Sequence, residues 1–330
     1  MTTQNPNRQH PSWFSRFWAV VRYEMLWNIR KKKFIAIIII VFAIAIAIFL
    51  APEIASIYYG VPITANSSYA ISFGGNGFIF LLIAIGIAVN SISSEFEGGT
   101  IVPLVTKPVS RTMILLGKIF TAFILLVVSY TVLYGFITVA STAVYGSQIN
   151  LQYMPLIVVG SIVSTMIWIS LLFALGSITK NTMVTVIAVI GLFLALLIAV
   201  PIASDFGGPS PVYNYLPGTG NTGYLITNSS NLIYAGGKVI GSNGTSVSSG
   251  TDDIGTNLVN YALYPNANVT YLKLNLAAVR ANETAIPATG IAFTQSTSAV
   301  AFTSLSIGLA YTVVFLIVAW VAFKRSQILE

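Results

Sequence analysis

Six long stretches of the chain contain no Asp, Glu, Lys, Arg or His and consist mainly of Ile, Leu, Val, Phe and Ala. A helix needs about 20 such residues to cross the hydrocarbon layer of a bilayer, which is roughly 30 Å thick. The stretches therefore predict an all-α polytopic membrane protein with six transmembrane helices. We expect Pro52 and Glu53 to end the first span, and Pro201 to break the fifth near its end. The predicted spans are Phe34–Ala51, Gly77–Ser93, Ile119–Ala143, Pro155–Ser177, Met183–Ile202 and Ala299–Phe323.

Composition excludes several other classes of protein. Only 8% of the residues are charged and 55% are hydrophobic, whereas about 25% of the residues in a soluble domain are charged. The chain has no cysteine, which excludes disulfides and thiolate metal sites. Its one histidine, His10, lies in a polar tail, so neither a histidine metal site nor a Ser-His relay is expected. We predict no metal, no catalytic residue, no bound cofactor and no nucleic-acid partner.

The distribution of Lys and Arg predicts the orientation in the membrane, because cytoplasmic loops carry most of the basic residues. If both termini are cytoplasmic, segments 1–33, 94–118, 178–182 and 324–330 hold 13 of the 16 basic residues. This pattern predicts a multi-pass protein of the plasma membrane with both termini inside.

Asn-X-Ser/Thr sequons give a second indication of orientation. All five fall in segments that the charge distribution already places outside the cell, and they are candidate glycosylation sites. Their abundance also follows from the local excess of Asn, Ser and Thr, so both explanations stay open. The sequons begin at Asn66, Asn228, Asn243, Asn268 and Asn282.

Two segments outside the spans have recognisable patterns. Residues 11–30, within a predicted cytoplasmic segment 1–33, have the spacing of an interfacial amphipathic helix. Residues 203–298 predict a small extracellular domain, either α+β or irregular, between spans five and six. Within it we expect a helix starting near Asp252, a strand over Val269–Leu276 and a loop over Gly236–Gly250. The apolar face of the first helix is predicted to contain Phe14, Phe17, Trp18, Val21, Met25 and Ile29, with Arg16, Tyr23 and Arg30 opposite.

The segment between spans two and three carries the most specific motif. It reads SSEFEGGTIVPLVTKPVSRTMILLGK over residues 93–118. The two glycines break the preceding helix, and Ser110 can cap the next one. Arg111 and Lys118 are seven residues apart, on one side of that helix. The chain divides into 1–33, 34–202 with this loop at 94–118, 203–298, and 299–330 with span six and a cytoplasmic tail.

This motif resembles the loop of ABC-2 type permeases, which reads roughly E-x-x-x-G-T-hydrophobic, then P-x-S-R, a hydrophobic run and G-K. Within this family, the chain most resembles the subgroup of sodium-efflux, peptide-resistance and copper-enzyme-maturation permeases. It differs from that subgroup in the size of the segment 203–298. The resemblance implies that the loop inserts a coupling helix into a separate ATPase. The implied ATPase-coupling residues are Glu95, Glu97, Gly98, Gly99, Thr100, Pro108, Arg111 and Lys118.

The resemblance also implies the partners. The chain contains no G-x-x-x-x-G-K-S/T phosphate loop, since Gly117-Lys118 is followed by Ile119 and Gly237-Lys238 by Val239. We therefore expect a transport subunit, not an enzyme, with ATP and Mg²⁺ bound by two copies of an ABC ATP-binding subunit. A second permease chain, identical or paralogous, and the lipid bilayer are the other expected partners, and export is the expected direction.

Two alternatives come from other functional classes. An ion-coupled secondary transporter usually carries ionisable residues within the membrane, and the predicted spans contain none. A membrane-anchored surface-binding protein would use residues 203–298 as its binding module, although six spans exceed what an anchor needs.

Overall fold

A computed structural model describes residues 12–30, 32–60, 67–73, 77–89, 91–93, 97, 110–226, 233–235, 238–240, 246–272, 286–287 and 291–325. The helices of these residues fall into a membrane-length set and a few short ones. They are α1 (Trp13–Arg30), α2 (Lys32–Tyr59), α3 (Tyr69–Ser72), α4 (Gly77–Ala88), α5 (Arg111–Tyr145), α6 (Met154–Thr179), α7 (Thr182–Gly207), α8 (Ile254–Leu263) and α9 (Thr297–Arg325).

Five of these helices, α2, α5, α6, α7 and α9, are long and apolar enough to cross a membrane. They coincide with five of the six predicted spans. The predicted span Gly77–Ser93 coincides with α4, an apolar helix of 12 residues, which is shorter than the hydrocarbon layer is thick. The chain is therefore a helical polytopic membrane protein, and the count of six spans stays a prediction.

Two prolines do not end their helices, and the prediction that they would is wrong. Helix α2 continues through Pro52 to Tyr59, and α7 continues through Pro201 to Gly207. Each proline removes only one backbone hydrogen bond, and in lipid a continuous helix is the best way to satisfy the remaining backbone groups. One consequence is that Glu53, which lies beyond the predicted span Phe34–Ala51, is part of the same membrane-length helix.

Helix α1 forms as predicted, and one of its faces packs against α5, a contact that the amphipathic pattern did not predict. The buried residues are Val20, Val21, Glu24 and Asn28, and they pack against α5. Phe14 and Trp18 of the predicted apolar face are exposed. The contact face includes two polar residues with different partners, because Glu24 pairs with Lys118 of α5 and the Asn28 side-chain amide donates to the Glu24 carbonyl oxygen within α1.

Helix α6 is the most buried of the membrane-length helices and packs against α4, α5, α7, α8 and α9. It starts beside Pro155 as predicted, since the missing N–H of a proline costs nothing in the first turn. The long helices α2, α7 and α9 leave most of their apolar side chains exposed. The core of the bundle is therefore built around α6, with exposed apolar surface around it.

Residues 203–298 contain two antiparallel sheets. The strands β4, β1, β5 and β7 form one sheet in that order, and β3, β2 and β6 form the other. The predicted loop over Gly236–Gly250 is wrong in part, because it contains β3 and β4, which pair with neighbouring strands. The strands are β1 (Gly220–Ile226), β2 (Ile233–Ala235), β3 (Lys238–Ile240), β4 (Ser246–Gly250), β5 (Asn268–Leu272), β6 (Ile286–Pro287) and β7 (Ile291–Ser296).

The predicted strand and helix of this region are both present. Strand β5 covers the first part of the predicted Val269–Leu276, and its later residues lie outside the described ones. Helix α8 follows Asp252, but the residue that caps it is Asp253, whose side chain accepts a hydrogen bond from the Thr256 N–H. The cap therefore lies one residue later than the prediction.

Helix α8 joins this region to the membrane-length helices. It packs against α6 and α9, and at Gly160 and Gly255 the two backbones approach so closely that a Cβ on Gly160 would overlap the backbone of Gly255. Helix α5 has 35 residues and is therefore about 52 Å long. This exceeds the hydrocarbon thickness by about 20 Å, and the four-stranded sheet contacts α8 and α9.

Candidate coupling site

The candidate site lies at one end of the helices, where α5 and α7 begin and α1, α6 and α9 end. We call this the basic end, because its helix termini include Arg30, Arg111, Lys180, Lys324 and Arg325. The opposite end, which carries residues 203–298, is called the far end. Three of the predicted coupling residues are described, and each contacts a different helix at the basic end.

Glu97 contacts the start of α7. Its Oε1 accepts a hydrogen bond of 2.9 Å from the backbone N–H of Thr182, the first residue of that helix. Asn181 caps the same helix end by accepting from the N–H of Val184 at 2.9 Å. Hydrogen bonding by Thr182 holds the pKa of the Glu97 carboxyl below its ordinary value. A carboxylate is stabilised at this position because the first N–H groups of a helix carry partial positive charge.

Arg111 contacts the end of α9. Its guanidinium donates a hydrogen bond of 3.1 Å to the carbonyl oxygen of Lys324, in the last turn of the helix. The Trp320 indole N–H donates to the Thr112 hydroxyl at 3.4 Å, and the Lys324 ammonium lies 5.2 Å from the centre of the Trp320 ring. A cation is favoured here because the last carbonyl groups of a helix have no intrahelical donor.

Lys118 contacts α1 through a buried ion pair. Its Nζ lies 2.7 Å from Oε1 of Glu24, and both side chains are almost fully inaccessible, at 0% and 1% exposure. The second Glu24 oxygen has no hydrogen-bond partner among the residues described. A buried ion pair is stabilised only while both charges are present, because either one alone would be an uncompensated charge in an apolar surrounding.

Close backbone approach holds α1 at this position. A Cβ on Gly117 would lie 2.6 Å from Cγ1 of Val20, so the absence of a side chain is what lets the two helices meet. The Thr121 hydroxyl donates to the Val21 carbonyl oxygen at 3.3 Å. Ser110 caps α5 as predicted, since its hydroxyl accepts from the N–H of Met113 at 3.2 Å.

The predicted motif included Lys118, on the same side of the helix as Arg111, but it did not include its partner Glu24. A signal for Glu24 is present in the sequence. Val20, Glu24 and Asn28 recur at intervals of four residues, which places them on one side of a helix. A polar residue on an otherwise apolar side is a reason to look for a partner of opposite charge on a neighbouring helix.

The remaining predicted site residues are only partly described. Asn268 is the exposed first residue of β5, so its side chain is accessible. The other members of both sets lie outside the described residues, and their roles stay predictions. These are Glu95, Gly98, Gly99, Thr100, Pro108, Asn66, Asn228, Asn243 and Asn282.

Comparison with known proteins agrees with the helical architecture. The family model described as ABC-2 family transporter protein matches residues 18–328, which is most of the chain. No curated protein gives a significant match. The matched region includes the helices of the coupling site and the sheets of residues 203–298. The chain therefore belongs to the ABC-2 family of membrane transporter proteins.

Proposed function

We propose that the chain is the permease subunit of an ATP-driven exporter and that the loop over residues 94–118 binds a separate ATP-binding subunit. ABC-2 permeases normally work with such a subunit and do not hydrolyse ATP themselves. ATP and Mg²⁺ are bound by that partner, in two copies, beside a second permease chain. The two permeases meet about a two-fold axis, in keeping with the usual symmetry of such assemblies.

The observation that supports this proposal is the set of contacts at the basic end. Glu97, Arg111 and Lys118 belong to one loop and its following helix, yet they contact α7, α9 and α1. A displacement of the loop is therefore transmitted to three helices at once. Because the chain has no phosphate loop, such mechanical transmission is how hydrolysis on a partner would change the membrane part.

The first experiment separates docking of the ATPase from transmission to the helices. The permease is co-expressed with its ATP-binding subunit, and we measure the copurified subunit and the ATPase rate relative to the isolated subunit. Glu97→Lys should lose the subunit, because it reverses a charge in the loop and opposes the partial positive charge at the start of α7. Glu97→Gln keeps a hydrogen-bond acceptor for the Thr182 N–H and should retain more binding.

Arg111→Gln tests whether movement of the loop is transmitted to α9. The glutamine removes the guanidinium that contacts the end of α9, so we expect normal copurification with a severalfold change in permease-dependent ATPase rate. Gln152→Ala, an exposed position at the far end, is the matched control. Wild-type copurification and ATPase rate in both Glu97→Lys and Arg111→Gln would contradict the proposal.

The orientation is tested with cysteine labelling, for which the chain is suited because it has no native cysteine. We propose that the basic end is cytoplasmic, since the segments that the charge distribution predicts to be inside hold 13 of the 16 Lys and Arg residues. Thr106→Cys should be protected from an impermeant thiol reagent in intact cells, and Thr222→Cys should react. Labelling of the first position, or protection of the second, would invert the assignment.

A further inference from the structure

A buried carboxyl group lies in α2, away from the coupling site. Glu53 is only 7% exposed, and its Oε2 has no hydrogen-bond partner among the described residues. An unpartnered carboxylate in a membrane-length helix is energetically unfavourable. Such a residue calls for a compensating group.

Two tyrosines and a phenylalanine surround this carboxyl. The Tyr145 hydroxyl is within hydrogen-bonding reach of the Glu53 carboxyl, and the Tyr145 ring stacks on Tyr69 with centroids 4.2 Å apart. Both tyrosine hydroxyls lie 3.4 Å from the carbonyl oxygen of Phe49, and the Phe49 ring meets both tyrosine rings edge-on. Each hydroxyl donates its single proton to this carbonyl oxygen, so its oxygen lone pairs stay available as acceptors.

The chemistry of this cluster matches a cation that carries N–H groups. A carboxylate oxygen and two hydroxyl oxygens are hydrogen-bond acceptors, and aromatic rings attract positive charge. Within the described part of the chain, the buried ion pair joins Lys118 and Glu24, and it lies at the opposite end of the helices. The described residues therefore supply no counter-charge to Glu53.

The depth of the cluster indicates where such a cation would come from. Helix α2 follows the basic cluster, and Glu53 lies 19 residues beyond Phe34, or about 28 Å along the axis. This distance is close to the hydrocarbon thickness, so the carboxyl lies at the head-group level of the far leaflet. Ile54 and Ile57 beside it are exposed, apolar side chains, which a lipid chain would contact.

We propose that Glu53, Tyr69, Tyr145 and the Phe49 carbonyl form a binding site for a primary ammonium group at the membrane surface. The Glu53 carboxylate accepts a charge-assisted hydrogen bond, and the tyrosine hydroxyls accept the remaining N–H donors. The source is either the head group of an aminolipid or a small free amine. This inference concerns binding and holds without the proposed coupling to an ATPase.

The experiment measures binding to the full chain in detergent by native mass spectrometry. The probes are dioleoylphosphatidylethanolamine, its N-acetylated derivative, dioleoylphosphatidylcholine and, in a separate arm, ethanolamine hydrochloride. Wild-type protein should bind the first lipid and discriminate against the acetylated and choline lipids, which lack the N–H₃⁺ group. Glu53→Gln should weaken binding by about tenfold or more, the equivalent of one charge-assisted hydrogen bond.

Tyr145→Phe should weaken binding by a smaller factor, and it keeps the proposal testable if Glu53→Gln folds poorly. Tyr58→Phe is the matched control, because Tyr58 is 81% exposed at the same helix end. Binding of ethanolamine without the lipid would support the ammonium site and identify a small amine as the source. Unchanged lipid affinity in folded Glu53→Gln and Tyr145→Phe, or equal binding of the acetylated or choline lipid, would overturn the proposal.

Discussion

The two ends of the molecule are stabilised by different chemistry. At the basic end, charged side chains contact helix termini and one another, as in Glu97 with α7 and Lys118 with Glu24. At the far end, uncharged hydroxyl groups and glycines hold α5, α6 and α8 together. The charged contacts join single side chains across helices. Close packing of two helix backbones holds those helices at one distance and angle. Loss of one partner at the basic end therefore leaves an uncompensated charge, whereas loss of one hydroxyl at the far end does not.

Hydroxyl pairs are the main polar contacts of the far half of the bundle. The Tyr134 hydroxyl lies 2.7 Å from Ser161 Oγ, and the Tyr130 hydroxyl hydrogen-bonds Thr165. Ser164 donates to the Thr251 carbonyl oxygen at 2.9 Å and so joins α6 to the residues before α8. Such pairs satisfy polar groups inside a membrane bundle without placing a charge there.

The largest expected effect is a loss of stability at the basic end. Lys118→Met leaves Glu24 as a buried, uncompensated charge, so we expect a loss of about 3–5 kcal/mol in the free energy of unfolding. Glu24→Gln combined with Lys118→Met removes both charges and should recover a large part of this loss. Reversible unfolding in mixed micelles measures all variants. Equal stability of the single and double variants would mean that the two charges do not stabilise each other.

The second largest effect is a loss of stability at the far end. Gly160→Ala places a Cβ against the backbone of Gly255, and overpacking of this kind destabilises by about 1–3 kcal/mol. Gly135→Ala is the matched control, because a Cβ at Gly135 meets nothing within 4 Å. The control should be neutral or slightly stabilising, since alanine is the better helix former. A destabilised control with an unaffected Gly160→Ala would refute the close-packing interpretation.

A third prediction concerns pH at the far end. Burial and the neighbouring Asp252 carboxylate raise the pKa of Asp253 to about 7, above its value of about 4 in an unfolded chain. The folded protein therefore binds the proton more tightly, so this stabilisation is present below about pH 4 and is lost as pH rises through 7.

Asp253→Asn tests this pH dependence directly. Asparagine keeps the cap on the N–H of Thr256 and removes the charge. The variant should be more stable than wild type at pH 8, by on the order of 1–2 kcal/mol, and nearly equal to it at pH 4. Thermal unfolding across pH 4–8 is the measurement. A parallel decline of both proteins with pH would exclude Asp253 as the cause.

The smallest expected effect compares the stability contributed by a hydroxyl pair with that contributed by the ion pair. Tyr134→Phe removes one buried hydrogen bond to Ser161, and hydrogen bonds of this kind within membrane bundles are worth about 0.6 kcal/mol. The expected loss of stability is thus several times smaller than that of Lys118→Met. A loss as large as that of the ion-pair variant would show that the hydroxyl pairs carry more of the stability than proposed.

Local features were predictable because their causes are local. The cap by Ser110, the start of α6 at Pro155 and the helix after Asp252 each depend on a few neighbouring residues. The end of α2 was mispredicted, because the low penalty for Pro52 depends on the apolar surroundings of the whole helix. The contact face of α1 was not predicted, since its position depends on Gly117 and Lys118 far along the chain.

The sequence by itself determined that this chain is a helical membrane protein, because long apolar stretches must form helices in lipid whatever their neighbours are. It also located the loop motif and the absence of a phosphate loop. Only the tertiary structure decided which charges meet. Glu24 and Lys118 are 94 residues apart, and Glu97 and Thr182 are 85 apart. Such pairs arise from the packing of helices, which no spacing within one helix encodes.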